Sequence, residues 1–357
     1  MKENLRIGIL TSGGDCQALN AAMRGVALAL YEKNKKTQII GIENGFEGLI
    51  NGNCRNLSKD DFENILSMGG TILGSSRMPF KHINEPDENG TEKIPAMIKN
   101  YKKMGLDCLV VLGGNGSQKT ANLLSMKGLN IVSLPKTIDN DVFETDMTFG
   151  YASALEVASK TIENIKTTAA SHSRIFIVEI MGHKTGHLTL NAGIAGGADV
   201  ILIPEIPFDT IAVAEKINQN ETEGKNYSII AIAEGAKTKQ DALLSKKEYK
   251  AKMGNISISF HLASQLRMLC NKDIRISIPG HIQRGGSPST QDKILASQLG
   301  SAAAQCILKG KFGIMVSIAN DKIIPVELNK VAGFTKYVDV ESDTIKLAKA
   351  LGISFGE

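Results

Sequence analysis

At 357 residues the chain is too long for one ordinary core and predicts two domains, and its 42% hydrophobic and 22% charged content is that of a globular protein. Its net charge of +4 comes from lysines and arginines spread along the chain, without the basic block or arm that nucleic-acid binding uses. Five widely spaced cysteines without a CxxC exclude a disulfide frame or zinc site, and no apolar run approaches the ~20 residues of a membrane span. 

Short apolar runs alternate with helical patterns. Leu5–Leu10 reads as a strand, then Thr11-Ser12-Gly13-Gly14-Asp15, then a helix over Ala18–Leu30. Gln38–Ile42 is a second strand. Asp107–Leu112 is a third, followed by Gly113-Gly114-Asn115-Gly116-Ser117 and a helix over Gln118–Met126. Asn130–Leu134 is a fourth and leads into Pro135-Lys136-Thr137-Ile138-Asp139-Asn140-Asp141. A long helix over Ser153–Ala170 precedes strands at Arg174–Ile180, Asp199–Ile203, Tyr227–Ala233 and Arg275–Ile278. The polar stretches His82–Thr91 and Asn218–Lys225 read as loops. This alternation predicts two doubly wound α/β domains with mainly parallel sheets. Such sheets bind ligands beyond the carboxyl ends of their strands, where the glycine clusters and the Asp-Asn-Asp turn fall.

The glycine clusters after the first and third strands let backbone N–H groups approach phosphate, and a helix N-terminus adds favourable potential. Either loop alone is equally a tight turn, with Asp15 as a cap. Two of them point to a polyphosphate and suggest a kinase without choosing its substrate. Gly116 leaves room for a bulky nucleotide. Gly69–Arg77 is a flexible run ending in a forked donor, although a lone arginine is more often a surface salt bridge. In the turn, Asp139 can take a hydroxyl proton, Asp141 can bind metal or orient Lys136, and Lys136 can shield a transferred group. Met181-Gly182-His183, Glu234 and His281-Ile282-Gln283-Arg284 follow strand patterns and can contact sugar hydroxyls or phosphate. The other histidines lack metal-ligand spacing.

Taken in order, SGGD, GGTILGSSR, GGNGS, PKTIDND, SHSR, MGH, IAGGAD, PEIPF and HIQRGGSPS resemble the 6-phosphofructokinase family, from about Leu5 past Asp292. The resemblance implies two Rossmann-like domains with the active site in the cleft between them: 1–149 plus about 283–333 for the phosphoryl donor, and 150–282 plus about 334–357 for fructose 6-phosphate. It implies a glycolytic kinase that phosphorylates O1 of fructose 6-phosphate with Mg²⁺. Asp139 is then the general base, flanked by Thr137 and Asp141. Gly14, Arg77, Met78, Gly114, Asn115, Gly116, Ser117 and Lys136 would form the donor site, with Asn115 and Asp139 as metal positions. Met181, Gly182, His183, Glu234, His281 and Arg284 would line the sugar-phosphate site with Thr137 and Asp139. Arg174 and Arg275 match arginines that the family supplies from a neighbouring subunit, so a homo-oligomer, usually a tetramer, is implied. 

The chain also departs from the family pattern. Most ATP-using bacterial members carry Gly at the position of Lys136; pyrophosphate-using members carry Lys there, with Asp at the position of Gly116. The pair found here, Gly116 with Lys136, favours ATP, because Asp at 116 would crowd and repel a nucleotide's α-phosphate. Pyrophosphate is the alternative donor. Asn115 stands in place of a metal-associated Asp and His183 in place of Arg, which motivates a further alternative, a non-catalytic sugar-phosphate or nucleotide sensor. Of the arginines of the bacterial effector site Arg24 remains, whereas Leu28 and Asn53 replace others. The thiol usage and the lack of a signal-peptide pattern at the start predict a cytoplasmic enzyme.

Overall fold

The computed structural model describes residues 4–357 and begins with strand β1 (Arg6–Ser12), buried over nearly its whole length. There follow α1 (Leu19–Lys33), β2 (Gln38–Ile42), α2 (Gly45–Asn51), β3 (Cys54–Leu57), α3 (Lys93–Lys103), β4 (Cys108–Gly113), α4 (Asn115–Met126) and β5 (Ile131–Pro135). Helix α5 (Tyr151–His172) leads to β6 (Ile175–Ile180), α6 (His187–Gly196), β7 (Val200–Leu202), α7 (Thr210–Thr222) and β8 (Ser228–Ala233). Then come α8 (Lys239–Ala242), α9 (Lys246–Met253), α10 (Ile258–Leu266), β9 (Ile274–Ser277) and a 3₁₀ segment, Gly280–Arg284. The chain ends with α11 (Thr290–Leu308), β10 (Ile314–Ala319), β11 (Lys322–Glu327), α12 (Leu328–Val331) and α13 (Asp343–Ala350).

Two units result. The first is Met1–Ser153 with Arg284–Lys336; the second is Ala154–Gln283 with Tyr337–Glu357. The first holds a seven-stranded sheet in the order β11-β10-β5-β4-β1-β2-β3, parallel except at its two edges, β2–β3 and β10–β11. The second holds a parallel four-stranded sheet in the order β7-β8-β6-β9. The central strands are continuous apolar runs because helices cover both faces of a parallel sheet. Leu10, Ile40, Leu109, Val111 and Ile131 build one core; Ile175, Ile177, Val200, Ile230 and Ile232 build the other. Parallel neighbours align their carboxyl ends, so β5, β4 and β1 end side by side, and so do β8, β6 and β9.

The helix predicted from Gln118 starts at Asn115, because the glycine loop itself supplies the first turn, with Gly114 at the N-cap. The stretch Asn218–Lys225 is not all loop. Helix α7 runs to Thr222, since Val213, Ala214, Ile217 and Asn220 form one buried helical face beneath the polar run. Strands β3, β10 and β11, and helices α2, α3 and α6–α13, had no counterpart among the predicted elements.

Helix α5 is capped in trans. Asp292 is fully buried on α11, and its carboxylate accepts hydrogen bonds from Gly150 N (2.9 Å), Ser153 N (2.7 Å) and Ser153 Oγ (2.5 Å). Burial holds its carboxyl above the ordinary carboxylate range, and these donors oppose that shift. Asp292→Ala orphans two buried N–H groups at a helix start, so a loss of about 2–4 kcal/mol is expected as a lower urea midpoint.

Candidate functional site: two phosphate-loop constellations and a carboxylate turn

The carboxyl ends of β1, β4 and β5 bring the predicted donor loops together within the first unit. Lys136 N donates to Gly113 O at 3.2 Å, which sets the Asp-Asn-Asp turn beside the second glycine loop. Gly13, at φ +87°, donates to Ser76 O at 3.0 Å, and Ser75 Oγ donates to Gly13 O at 2.6 Å. The 69–77 run is therefore fastened to the first glycine loop. Buried Asn20 on α1 ties the start of that run: its Nδ2 donates to Met68 O at 2.9 Å and its Oδ1 accepts from Ile72 N at 2.9 Å.

Two cations face the first glycine loop. Lys136, almost fully buried, donates from Nζ to Gly14 O. Arg284 Nη1 donates to Asp15 O at 2.8 Å, and a Cβ on Gly14 would lie 2.8 Å from that nitrogen. Glycine at 14 is what lets the guanidinium sit this close. Arg284, grouped by sequence with the sugar-site residues, thus contacts the first glycine loop of the first unit. Burial lowers the Lys136 pKa; Cys16 and the Asp139 carboxylate raise it, while Arg284 lowers it further. No side chain caps α4 and its first turn is free of acidic residues, so the positive potential of its N-terminus is not neutralised by a side chain of its own. Asn115 does not cap either. Its Nδ2 reaches Asp141 Oδ2 at 2.8 Å and Asp141 O at 3.0 Å, while its Oδ1 is buried with no hydrogen-bond partner. Ser117 is buried and Gly116 exposed, with nothing within 4 Å of a Cβ built on it. Buried Gln118 bonds Gly113 O (2.9 Å), Leu134 O (3.3 Å) and Ser133 Oγ (2.6 Å), locking the ends of β4 and β5.

Arg77 and Met78 line a cleft of about 640 Å³ in the same unit, with Ser76, Glu47, His82 and Lys93 among its other walls. That volume suits a nucleotide.

Asn140 shapes the turn that carries Asp139 and Asp141. It adopts φ +52°, a left-handed geometry that Asn tolerates. Its Oδ1 accepts from Thr148 N at 3.0 Å and Lys336 Nζ at 3.1 Å. Thr137 Oγ1 accepts from Asp139 N at 3.0 Å. Asp139 is half-buried, whereas Asp141 is 8% exposed. Burial, then the Asp139 charge, raise the Asp141 carboxyl to about 6 from its ordinary 3.8. The folded chain therefore holds this proton more tightly than the unfolded chain. The resulting stability is complete below pH 3.8 and is lost as pH rises through 6. Asp141→Asn removes that loss, so a gain of about 2–3 kcal/mol is expected at pH 8, read as a higher urea midpoint.

In the second unit the carboxyl ends of β6, β8 and β9 hold a separate constellation. Gln283 Oε1 accepts from Met181 N at 3.3 Å. Glu234 Oε1 accepts from Gly182 N (3.2 Å) and from His183 N (2.7 Å), where His183 is left-handed at φ +51°. Glu234, His183 and His281 are exposed, open to a polar ligand. Arg174 and Arg275 stand elsewhere. Both pair with Asp273 Oδ2, at 3.0 and 2.8 Å. Arg174 precedes β6 and Met181 follows it, so the strand rise of ~3.3 Å per residue keeps them about 20 Å apart. One chain does not bring these arginines to the Met181 loop.

Sequence reasoning missed Asn20, Gln118, Asn140 and Asp292. Each is a polar residue in or beside a motif that was read for ligand contacts rather than for holding backbone.

Among the described residues no group of three or more His, Cys, Asp or Glu side chains is arranged to hold a metal, and no helix is long and apolar enough to cross a membrane. The family model for phosphofructokinase matches residues 6–307. A relative from Spirochaeta thermophila named ATP-dependent 6-phosphofructokinase is 45% identical over 98% of this chain and 97% of its own. One from Propionibacterium freudenreichii with the same name is 41% identical over 99% of this chain and the whole of its own. Among solved structures, phosphofructokinase from Saccharomyces cerevisiae superposes with a TM-score of 0.77 at 29% identity, over 97% of this chain and 46% of that longer one. A pyrophosphate-dependent phosphofructokinase from Marinobacter aquaeolei superposes at 0.81 with 22% identity over 98% of this chain and 88% of its own, a likeness of fold alone.

Proposed function

Because the chain belongs to the phosphofructokinase family, we propose that it transfers the γ-phosphoryl group of ATP to O1 of fructose 6-phosphate, giving ADP and fructose 1,6-bisphosphate. The observation that carries this reading is the likeness to enzymes named ATP-dependent over nearly the full length of both chains. The space around Gly116 supports it, since the first turn of α4 admits a nucleotide.

Asp139 takes the proton of the sugar O1 hydroxyl as that oxygen attacks the γ-phosphorus in line. Thr137 and Asn140 fix the turn that presents it. Gly14, Gly114, Gly116 and Ser117 offer backbone N–H groups to the phosphates, and Lys136 and Arg284 supply positive charge beside them. Arg77 and Met78 take the nucleotide side of the donor in their cleft. Met181, Gly182, His183, Glu234 and His281 hold the sugar phosphate. The donor set fits Mg²⁺ held chiefly by ATP oxygens, with Asp139 and the unpartnered Asn115 Oδ1 as its protein ligands. When bound, it would neutralise charge on the phosphates. Arg174 and Arg275 act on a neighbouring copy, in a homo-oligomer, most simply a tetramer, working in the cytoplasm.

Lys136 favours pyrophosphate as a second reading. Steady-state rates with ATP and with pyrophosphate, each with fructose 6-phosphate, test it. Faster turnover with pyrophosphate would overturn the donor assignment, and sugar-phosphate binding without turnover on either donor would leave a sensor.

A further inference from the structure

We propose that the crossover segment Thr335–Val338 is a strap that couples the catalytic turn to the sugar-site loop, with Lys336 and Glu205 as its positioning residues; the inference deepens the phosphofructokinase reading and rests on it.

The strap is fastened at both ends. In the first unit, Lys336 Nζ donates to Asn140 Oδ1 (3.1 Å), Thr145 O (2.7 Å) and Asp146 O (2.9 Å), three acceptors on one turn. An ammonium has three donors, and one short turn takes them all. Its backbone N–H donates to Asp141 O at 2.9 Å, and Thr335 forms a bridge with Val142. Asn140 is the left-handed residue between Asp139 and Asp141, so Lys336 holds the backbone that aims both carboxylates. In the second unit, Val338 N donates to Glu205 Oε1 at 2.9 Å, and the same oxygen accepts from Gly186 N at 3.0 Å. Gly186 closes the loop that starts at Met181 and caps α6. Glu205 is half-buried, burial holds its carboxyl above the ordinary range, and its Oε2 has no hydrogen-bond partner. A carboxylate desolvated to grip two N–H groups is costly unless that grip matters.

Only Tyr337, 56% exposed, separates the two fastenings. Consecutive Cα atoms lie ~3.8 Å apart, so one intervening residue gives no slack to absorb a shift of either loop. A displacement of the Met181–Gly186 loop on sugar binding is passed to the turn that carries Asp139.

Three variants of the full chain test the strap: Lys336→Met, Glu205→Gln, and a single glycine inserted after Tyr337. The insertion keeps both fastenings and adds only slack, at an exposed position that tolerates it. Amide exchange of the Asp139–Asp146 segment, kcat, and KM for fructose 6-phosphate are read for each. Glu205→Gln and the insertion are expected to speed exchange in that segment several-fold and to lower kcat ~10-fold, although neither touches the turn. Lys336→Met is expected to raise KM for the sugar phosphate as well as lower kcat. Lys336→Met combined with Glu205→Gln is expected to lose no more than the worse single variant, as coupled sites do. Unchanged exchange in the Glu205→Gln and insertion variants would overturn the strap. A wild-type chain without turnover on ATP would overturn the functional reading alone, because the exchange measurement stands without it.

Discussion

Replacement of Asp139 by serine is expected to cut kcat by ~10²–10⁴-fold, the usual worth of general-base help, while fructose 6-phosphate binds nearly as before. The reasons lie in the turn. Asp139 is half-buried after β5, and its backbone is held by Thr137 Oγ1 and by the left-handed Asn140 beside it. Serine keeps both of these fastenings and removes the proposed base. It also removes the negative charge that is the second cause of the raised Asp141 pKa. The Asp141 titration midpoint should then fall from about 6 towards its ordinary value, still held up by burial. Calorimetric binding of the sugar phosphate, steady-state rates and a pH titration check the three parts. Turnover like that of the wild type would reject the role of Asp139.

Gly116→Asp is expected to reduce kcat/KM for ATP at least ~10²-fold, because placing like charges against each other costs several kcal/mol. The fold should not suffer. Position 116 is exposed, no atom lies within 4 Å of a Cβ there, and the residue sits in the first turn of α4. An acidic residue at a helix N-terminus adds about 0.3–1 kcal/mol of stability. Equal or higher thermal stability alongside lost ATP use would place the whole effect on the nucleotide. Pyrophosphate, which has no α-phosphate or base to meet the new carboxylate, should be affected much less. An undiminished ATP efficiency would refute the steric and charge argument for the donor.

Much of the fold was legible because buried parallel strands are short apolar runs that end in glycine clusters. β1, β2, β4, β5, β6, β7, β8 and β9 all fall within or beside their predicted stretches. The interior strand β10 (Ile-Met-Val-Ser-Ile-Ala) was missed although it is a buried apolar run, because no glycine cluster follows it. Edge strands were missed for a different reason. β3 (Cys-Arg-Asn-Leu) and β11 (Lys-Ile-Ile-Pro-Val-Glu) face solvent over much of their length, so no apolar run marks them. Helix α11 is rich in Ala, Gln and Ser, and its pattern was overshadowed by the motif just before it. The gathering of Asp139, Lys136 and the glycine loops beyond the ends of β1, β4 and β5 was legible because each lies just after its strand in sequence. The roles of Asn20, Gln118 and Asp292 were not, since each bonds backbone far along the chain, 48, 16 and 139 residues away at the partners Met68, Leu134 and Ser153. Nor did the sequence suggest that Arg284 would rest against Gly14, a contact spanning most of the chain length.

The most direct test follows a γ-labelled phosphoryl group from ATP, with fructose 6-phosphate as acceptor, in the wild type and in Asp139→Ser. The account predicts label in fructose 1,6-bisphosphate from the wild type and at least ~10²-fold slower transfer in the variant. Equal transfer by both proteins, or a wild type that passes label from pyrophosphate and not from ATP, would contradict it.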